Sequence, residues 1–479
     1  MARLIGIDVG TSATKAVLID ETGRVIKQAS AEYPLQTPRP LWAEQDPADW
    51  KAAIETCLQE LGEKRPDAIG LTGQMHGMVC LDSADQVVRP AILWCDQRTA
   101  AECRQIDETL GEATVRRVTG NPPLTGFQAP KILWLRNNEP ENFARTKSVL
   151  LPKDYARLLL TGDKASDVSD ASGTGVFDLG ARDWWTEGIA GLGLEPSLFP
   201  ASHESGAVTG TTVSTGFIEE GVPVVAGAGD QAAGAVGTGA VSPGVVSVSL
   251  GTSGVAFAPL QIPEPDPTGA AHVFCHANRA WHAMGVMLAC GGSIRWARDA
   301  FYPGEGYERM NADAEEAPPG CDGLTFLPYL SGERCPHNDP DARGAFAGLA
   351  LSHSRKHLAR AVFEGATFGI ADCLDRLVRM GVKTDVVRVT GGGAKSDLWM
   401  QMLADVPKVR TVRIVGDEGP AFGAALLAGV GTGLWPNIEE ACRQTVRTGD
   451  EFATSGTDYS TPLSRYRNLY PVLKVWTKP

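Results

Sequence analysis

The first half of the chain alternates short apolar runs with polar turns. The run at residues 3–9 (RLIGIDV) predicts a strand, residues 10–12 (GTS) a turn, and residues 15–20 a second strand. A further turn leads into a third strand at residues 24–27. Such short connections predict an antiparallel meander. The apolar run at residues 68–72 predicts the next strand.

A helix is predicted between the third and fourth strands. Asp46 is suited to the N-cap and Pro47 to the first turn. Apolar residues then recur at helical spacing, namely Trp50, Ile54, Cys57, Leu58 and Leu61. They predict one buried face.

The second half repeats this alternation. Strands are predicted at residues 245–250, 386–390 and 412–415, with a turn at 251–254. A long helix is predicted at 354–380, with Leu358, Val362, Leu374, Leu377 and Val378 at its apolar positions. Ser396 is expected to cap a helix that runs to about residue 406, and residues 416–420 lead into a helix rich in Ala and Gly. Both halves therefore predict α/β architecture.

One short segment occurs twice. Residues 8–12 (DVGTS) align with residues 249–253 (SLGTS), about 240 residues later, and only the first copy has the carboxylate. Duplication of a strand and turn is one interpretation, and a chance match of five residues is the other.

Composition limits the class of protein. The 479 residues suggest two large domains or three smaller ones, and 43% hydrophobic with 21% charged residues is typical of a globular protein. The 44 Lys and Arg against 57 Asp and Glu give a net charge of -13, so a nucleic-acid partner is not expected. The sequence has neither a GxxxxGK[ST] P-loop nor a GxGxxG after its first strand, which disfavours those nucleotide-binding folds.

Cysteines and apolar segments indicate a cytoplasmic protein. The ten cysteines include no CxxC, so reduced and mostly buried thiols are expected, and the adjacent pair Cys275 and His276 is disfavoured as a metal site. Asp8 interrupts the apolar N-terminal run, which argues against a signal peptide. The uncharged stretch at 231–263 is built mainly from small residues, and we expect buried strands and turns rather than a membrane span.

Two aspartates are candidates for chemistry. Asp8 ends an apolar strand just before the GTS turn, and Asp230 is the one charge between Gly221 and Pro263. An acid in such surroundings is costly to bury unless it meets a metal, a partner or a substrate. The alternative is that Asp230 is the N-cap of a helix at 231–237.

Other polar and aromatic residues leave both a structural and a functional interpretation open. His76, in Gln74-Met75-His76-Gly77, follows the strand at 68–72, where α/β proteins often bind ligands. Lys153-Asp154-Tyr155 follows an apolar run, and Trp42 with the pair Trp184-Trp185 suits a core or a sugar face.

Glycine-rich turns suggest a phosphate-binding site. Residues 10–12 and 251–253 have Gly for close approach and hydroxyls for hydrogen bonds, although either turn alone is more often an ordinary hairpin. Residues 391–393 are a glycine run between a predicted strand and a predicted helix. This arrangement directs amide donors at an anion.

Together these motifs resemble the FGGY family of carbohydrate kinases, from about residue 4 to residue 429. The matching strings include IGIDVGTSATKAVLID at 5–20, GQMHGMV at 73–79, LLPKDYARLLLTG at 150–162, GAGDQAAGAVG at 227–237, SLGTSGV at 249–255, TGGGAKSDLW at 390–399 and GPAFGAAL at 419–426. GQMHG and LLPKDY are most similar to the members that act on D-xylulose.

The resemblance implies two actin-like (ribonuclease-H-like) domains flanking a catalytic cleft. Residues 1–242 would bind sugar and supply the base, and residues 243–479 would bind ATP. Asp230 would be the general base, and Asp8 would lie beside Mg²⁺ and the transferred phosphoryl group. The resemblance further implies that sugar contacts Met75, His76, Asp230 and Gln231. The nucleotide would contact Thr11, Ser12, Gly251, Thr252, Gly392, Gly393, Ala394 and Asp397.

The expected reaction is ATP-dependent phosphorylation of D-xylulose, and a homodimer is compatible with the resemblance. Gln231 stands where many such kinases have Asn, which leaves sugar selectivity open. The alternatives are a kinase of this family for ribulose, gluconate or glycerol, and a non-catalytic actin-like sugar sensor.

Overall fold

Two seven-stranded sheets form the framework of the protein, in a computed structural model that describes residues 2–416 and 419–477. In the first half the strands are β1 Arg3–Val9, β2 Ala13–Asp20, β3 Val25–Glu32, β4 Glu44–Gln45, β5 Ala68–Gly73, β6 Val79–Leu81, β7 Ala91–Ile92, β8 Ser148–Leu150, β9 Ser166–Asp167, β10 Phe177–Asp178, β11 Asp183–Trp184, β12 Ser202–His203, β13 Val208–Thr211, β14 Pro223–Val225 and β15 Ala228–Gly229. The helices of this half are α1 Pro47–Leu61, α2 Ala100–Leu110, α3 Glu112–Thr119, α4 Gln128–Asn138, α5 Pro140–Arg145, α6 Pro152–Thr161, α7 Val168–Ala171, α8 Thr186–Gly191 and α9 Asp230–Thr238.

The second half begins at the other sheet. Its strands are β16 Gly244–Leu250, β17 Gly254–Leu260, β18 Ala271–Cys275, β19 Trp281–Met287, β20 Thr325–Leu327, β21 Ala345–Ala347, β22 Thr384–Thr390, β23 Arg410–Val415 and β24 Arg447–Phe452. Its helices are α10 Gly291–Phe301, α11 Tyr307–Glu316, α12 Arg355–Arg379, α13 Asp397–Asp405, α14 Gly419–Gly431, α15 Ile438–Thr445 and α16 Ser460–Thr477.

The two sheets have closely similar strand orders. The first has the order β13-β14-β5-β1-β2-β3, with β15 also paired to β5, and the second has β18-β19-β17-β16-β22-β23-β24. In the first sheet three antiparallel strands, β3-β2-β1, are followed by two parallel neighbours and one antiparallel edge strand. The second sheet has the same pattern, except that a fourth antiparallel strand, β18, lies beyond β19. The common order supports the interpretation that the two GTS turns belong to a duplicated unit.

The predicted helix at the start of the chain is confirmed. Asp46 caps α1 by accepting a hydrogen bond from the amide of Ala48, and Pro47 occupies the first turn. The five predicted apolar residues of α1 are all buried, and they pack in the core under the first sheet.

The long helix α12 follows the prediction except at its end. Its middle is buried, including Val362, Leu374 and Leu377, whereas the side chain of Val378 is 50% exposed. The prediction was therefore wrong for Val378, because a helix turns its side chains through about 100° per residue and Leu377 already occupies the buried face.

Helix α14 comes from the second half of the chain but packs on the first sheet. An added Cβ on Gly6 would lie 1.9 Å from the carbonyl oxygen of Ala421, and one on Gly70 would lie 1.8 Å from that of Ala424. α14 also crosses α9, where a Cβ on Gly423 would lie 1.8 Å from the carbonyl oxygen of Ala233. Glycines therefore allow one helix from each half to pack at backbone contact, beside the cleft. The predicted division at residue 242 stays a prediction.

Free thiols and helix lengths agree with the expectations from composition. All ten cysteines are free, and eight of them are buried. Within the described ranges, none of the helices combines the length and apolarity that crossing a bilayer requires.

Candidate active site

A cavity of about 440 Å³ lies where the two halves of the chain meet. Asp230, Gln231 and Gly234 line it from α9, and Ser249 and Thr390 line it from the ends of β16 and β22. The start of α14 adds a further wall, formed by Gly419, Pro420 and Phe422. The carboxyl ends of β16 and β22 therefore meet the start of α9 at one cleft, and ligand sites of α/β folds gather at such strand ends.

Asp8 lies near the end of β1, where the strand leads into the first GTS turn. Its Oδ1 atom is buried and makes no hydrogen bond to the described part of the chain. Burial and then the charge of Asp230 raise the pKa of Asp8 to about 7, and Lys15, its cross-strand neighbour on β2, partly offsets this rise. The structure thus brings the two predicted acids within electrostatic reach of one another.

Asp230 is the first residue of α9, and the alternative that it is only an N-cap is wrong. Gly229 is the N-cap, because its backbone is extended while Asp230 already belongs to the helix. Burial raises the pKa of Asp230 to about 6, and hydrogen bonds from Gln231 partly oppose the shift. The Gln231 side-chain amide lies 3.3 Å from Oδ1 of Asp230. A carboxylate with a pKa near neutrality is well suited to accept a proton.

The first GTS turn is tied to the first half of the chain by polar side chains. The Thr11 hydroxyl lies 3.3 Å from Oε1 of Gln74 and accepts a hydrogen bond from the Trp94 indole at 2.9 Å. The Gln45 amide donates to the Thr11 carbonyl at 2.6 Å. Ser12 is exposed. The sequence motifs did not single out Gln45 or Trp94, although both lie between residues 4 and 429, the span over which the chain resembles the family.

Met75 packs beside the turn that leads to Asp230, and His76 follows it in the chain. A Cβ on Gly229 would lie 2.9 Å from Cγ of Met75, so this side chain packs directly against the residue that precedes Asp230. Nδ1 of His76 lies 2.6 Å from the Gly173 carbonyl oxygen. Because a carbonyl can only accept, Nδ1 carries the proton, and Nε2 is left as an acceptor.

His76 is held neutral by its surroundings. Burial, the charge of Lys131 and that of Arg334 lower its pKa to about 3, although the contact with Gly173 opposes the shift. Lys131, which the sequence analysis missed, donates to the carbonyls of His76 at 2.8 Å and Gly126 at 2.7 Å. It therefore fixes the backbone that presents the imidazole.

Most of the predicted nucleotide residues lie at turns that follow strands of the second sheet, whereas Thr11 and Ser12 lie in the first GTS turn. The carbonyls of Gly251 and Thr252 accept hydrogen bonds from the amides of Gly291 and Gly292, at the start of α10. Gly391 has φ of 86°, and a Cβ there would lie 2.8 Å from the Leu250 carbonyl oxygen.

The glycine run continues into a short 3-10 turn, Gly392–Lys395. A Cβ added to Gly392 would meet open space, whereas Gly393 packs on Trp399, and Ala394 is buried. Ser396 caps α13 as predicted. Asp397 forms an ion pair with Arg413 at 2.5 Å, so its carboxylate is already engaged by a protein partner.

The three tryptophans that suited either a core or a sugar face, Trp42, Trp184 and Trp185, all pack against one buried apolar cluster of the first half. Trp42 packs edge-on against Trp134, with Arg98 over its ring at 3.6 Å. The Trp184 indole donates to the Pro200 carbonyl, and Trp185 packs against the same apolar cluster. Nε2 of His276 lies 3.2 Å from the Ala240 carbonyl oxygen, and the described residues contain no group of three or more side chains that could hold a metal ion.

Comparison with known proteins identifies the family of the chain. The sequence models of the FGGY family of carbohydrate kinases match residues 3–237 as the N-terminal domain and residues 246–432 as the C-terminal domain. A xylulose kinase of Escherichia coli (strain K12) is 44% identical over 434 residues, which cover 88% of this chain and 89% of that protein.

Solved structures match over nearly the whole chain. A xyloylose kinase from Brucella ovis has a TM-score of 0.93 at 38% identity, covering 99% of this chain and 100% of that one. A gluconate kinase from Lactobacillus acidophilus has a TM-score of 0.91 at 27% identity, covering 99% and 98%. These matches favour an enzyme over a non-catalytic sensor. The chain has the two-domain actin-like fold and belongs to the FGGY family of carbohydrate kinases.

Proposed function

We propose that this kinase transfers the terminal phosphoryl group of ATP to D-xylulose and forms D-xylulose 5-phosphate. The observation that carries the proposal is a pair of acids: Asp230 lines the cavity between the two sheets, and its charge helps to raise the pKa of the buried Asp8 carboxyl. Phosphoryl transfer requires mainly positioning and neutralisation of charge, with one residue to accept the proton of the attacking hydroxyl. Two interacting acids on two different elements, one of them in the cavity wall, suit that division of roles.

Asp230 is the proposed general base. It lines the cavity, and its pKa of about 6 leaves it ionised at neutral pH yet basic enough to take a proton. The sugar hydroxyl would lie against Asp230 and the Gln231 amide. The proton of that hydroxyl would move to the carboxylate as the oxygen attacks.

Met75 and His76 are the proposed sugar contacts. Since the Gly173 carbonyl fixes the proton on Nδ1, Nε2 of His76 would accept a hydrogen bond from a sugar hydroxyl. Met75 supplies an apolar surface next to Gly229. A neutral acceptor beside an apolar wall suits an uncharged ketose.

Asp8 fits the proposed role on the magnesium side. Its buried Oδ1 makes no hydrogen bond within the described ranges, which leaves an oxygen for a hard cation or for the water bound to it. Magnesium is commonly held by one or two carboxylates together with substrate phosphates, so a full protein cage is not required. When bound, the ion supplies positive charge that neutralises the transferred phosphoryl group.

The turns of the second sheet are the proposed nucleotide site. Gly392 is open, and the backbone of Gly391 to Ala394, with Gly251 and Thr252, presents small residues near the cleft. Gly393 and Ala394 would shape this turn. Thr11 and Ser12 remain proposed contacts from the first half, and Ser12 is the more accessible of the two. Asp397 would have to leave Arg413 in order to contact nucleotide, which makes it the weakest member of this set.

A gluconate kinase is the second candidate. The gluconate kinase structure from Lactobacillus acidophilus has nearly the same chain path, so the scaffold is compatible with a sugar acid. The sugar site described above offers a neutral imidazole and carboxylates, which would repel a carboxylate-bearing substrate. We therefore favour the ketose.

A substrate panel tests the proposal. The purified enzyme would be assayed for ADP release with D-xylulose, D-ribulose, gluconate and glycerol, with and without magnesium. We expect the highest kcat/KM for D-xylulose and no turnover without the divalent ion. A higher kcat/KM for gluconate would replace this proposal with the second candidate. Cytoplasmic location and a homodimer remain predictions, and light scattering of the purified protein would test the latter.

A further inference from the structure

A fully buried charged cluster lies under the segment that leads to Asp230. Nζ of Lys153 lies 2.5 Å from Asp154, 3.2 Å from Asp167 and 4.0 Å from Asp170. The four side chains are at most 1% exposed. The cluster includes the Lys153-Asp154 motif of the sequence, for which the proposed mechanism has no role.

Burying these four charged side chains away from water is costly in free energy. Burial opposes the charge of Lys153, but the neighbouring carboxylates outweigh it and raise the pKa of the lysine. Burial raises the pKa of Asp170 well above its usual range, and neither oxygen of Asp170 has a hydrogen-bond partner in the described part of the chain. Such a costly arrangement adds little net stability, because an apolar replacement of similar volume is often as good.

Two hydrogen-bonded routes run from this cluster to the Asp230 turn. In the first, Nζ of Lys153 donates to the carbonyl of Ala226 at 3.3 Å. In the second, Oδ2 of Asp167 accepts the Ser169 hydroxyl at 2.6 Å, and the Ser169 oxygen accepts the amide of Gly229 at 3.1 Å. Both routes end within four residues of Asp230.

The segment they reach is already closely confined. Gly227 has φ of 82°, and a Cβ there would lie 2.0 Å from the Leu71 carbonyl oxygen. Ala228 and Gly229 pair with Thr72 and Gly73 of β5. The Ser169 contact is a side-chain restraint on the amide of Gly229, the residue directly before the proposed base.

We propose that Lys153, Asp167 and Ser169 are positioning residues that fix the backbone at Gly229 and thereby aim the Asp230 carboxylate at the sugar hydroxyl. The inference rests on the proposed function, in which Asp230 is the general base. A displacement of about 1 Å in a reacting group can cost about 10²-fold in rate. Loss of the Ser169 hydroxyl should therefore lower kcat more than it changes sugar binding.

Ser205 provides a matched control. Its hydroxyl donates to the same Oδ2 of Asp167 at 2.9 Å, and Ser205 is as fully buried as Ser169. The carbonyl of Ser205 does accept the Gly227 amide, but a change to alanine keeps that backbone bond. Ser205→Ala thus removes an equivalent hydroxyl without removing the acceptor of the Gly229 amide.

The experiment compares Ser169→Ala, Ser205→Ala and Asp230→Asn by steady-state kinetics, calorimetric titration with D-xylulose and thermal melting. We expect Ser169→Ala to lower kcat by roughly 10- to 100-fold, with the sugar Kd within about threefold of wild type. Ser205→Ala should keep kcat within about threefold, and the two serine variants should melt at similar temperatures. If Lys153→Met folds, its kcat should fall as that of Ser169→Ala does. If it does not fold, the comparison of the two serine variants alone tests the positioning inference.

The outcomes separate the two proposals. If Asp230→Asn is inactive while Ser169→Ala and Ser205→Ala have equal kcat, the positioning inference is overturned and the base assignment stands. If Asp230→Asn keeps its turnover, the base assignment fails, and the positioning inference fails with it.

Discussion

The charge of Asp230 reaches Asp8: burial first, and then the Asp230 carboxylate, raise the pKa of Asp8 to about 7. The two acids come from separate elements, since Asp8 is the penultimate residue of β1 and Asp230 is the first residue of α9. Two buried carboxylates that repel one another favour a state in which a proton, a cation or a substrate hydroxyl relieves the repulsion. This relationship gives opposite expectations for stability and for activity.

Replacing Asp8 should stabilise the ligand-free protein at alkaline pH. The folded-state pKa of Asp8 is raised, so its favourable contribution is complete below the unfolded value of 3.8 and is lost as pH rises through about 7. Asp8→Asn removes the ionised form, and we expect a gain of the order of 2 kcal/mol at pH 8 and little change at pH 4. Thermal melting without magnesium would measure it, and the variant should have very low turnover.

Asp20 in the same hairpin is a control of opposite sign. Hydrogen bonds from Thr22 and Arg24 lower its pKa despite the opposing effect of burial. Its contribution is present above the unfolded value and is lost as pH falls below it. Asp20→Asn should therefore destabilise the protein at pH 8. If both variants shift the melting temperature in the same direction at pH 8, the raised folded-state pKa of Asp8 is contradicted.

The pH dependence of activity should follow Asp230. A general base must be ionised, and the pKa of Asp230 is about 6, so kcat/KM for the sugar should fall as pH drops through about 6. Because Asp8 and Asp230 interact, the profile reports values that belong to the pair. Initial rates between pH 5 and pH 9 at constant ionic strength would measure the profile. A rate that stays flat down to pH 5 would contradict a carboxylate base with a raised pKa.

Gly173 should control sugar affinity through His76. A Cβ on Gly173 would lie 2.5 Å from the imidazole, so Gly173→Ala has to displace the ring that we propose as a sugar contact. We expect KM for D-xylulose to rise about tenfold, the effect of one lost hydrogen bond. Gly180→Ala is the control, since its Cβ would make only an ordinary contact 3.4 Å from Asp178. Equal KM values for the two variants would remove His76 from the proposed sugar site.

Much of the fold could be predicted from local patterns. The β1 to β3 meander, the capped helix α1, the strands β16 and β22 and the Ser396 cap all depend on short-range spacing, and each was confirmed. The prediction that Val378 lies on the apolar face of α12 was wrong, because periodicity alone does not define which side of a helix end meets the core. The sequence left two roles open for Asp230, that of a helix N-cap and that of a functional acid, because an N-cap and a first helical position differ by only one residue.

The site depends on contacts that sequence spacing does not reveal. The tautomer of His76 depends on Gly173, and the restraint on Gly229 depends on Ser169, 60 residues earlier in the chain. Lys131 was missed because a buried lysine that bonds only to backbone carbonyls leaves no pattern of charge pairing. Such pairings follow from topology, which brings distant segments to the end of one sheet.

The crossing of α9 and α14 should be sensitive to side-chain size. A Cβ on Gly423 would lie 1.8 Å from the Ala233 carbonyl oxygen, so Gly423→Ala must push two helices of different halves apart. We expect a loss of about 1–3 kcal/mol in the free energy of unfolding, measured by denaturant titration. Gly234→Ala in α9 is the control, because its Cβ would lie 3.9 Å from Pro420. Its stability should stay the same or rise slightly. Equal stability of the two variants would contradict the packing described for this crossing.

The most direct test of the account is the turnover of Asp230→Asn with D-xylulose and ATP. The change keeps the size of the side chain and removes the proton acceptor, and general-base catalysis is typically worth roughly 10²–10⁴-fold. The account predicts a fall of at least about 10²-fold in kcat, with sugar binding and melting temperature close to those of the wild type. A variant that keeps more than about a tenth of wild-type turnover would contradict the assignment of Asp230 as the base.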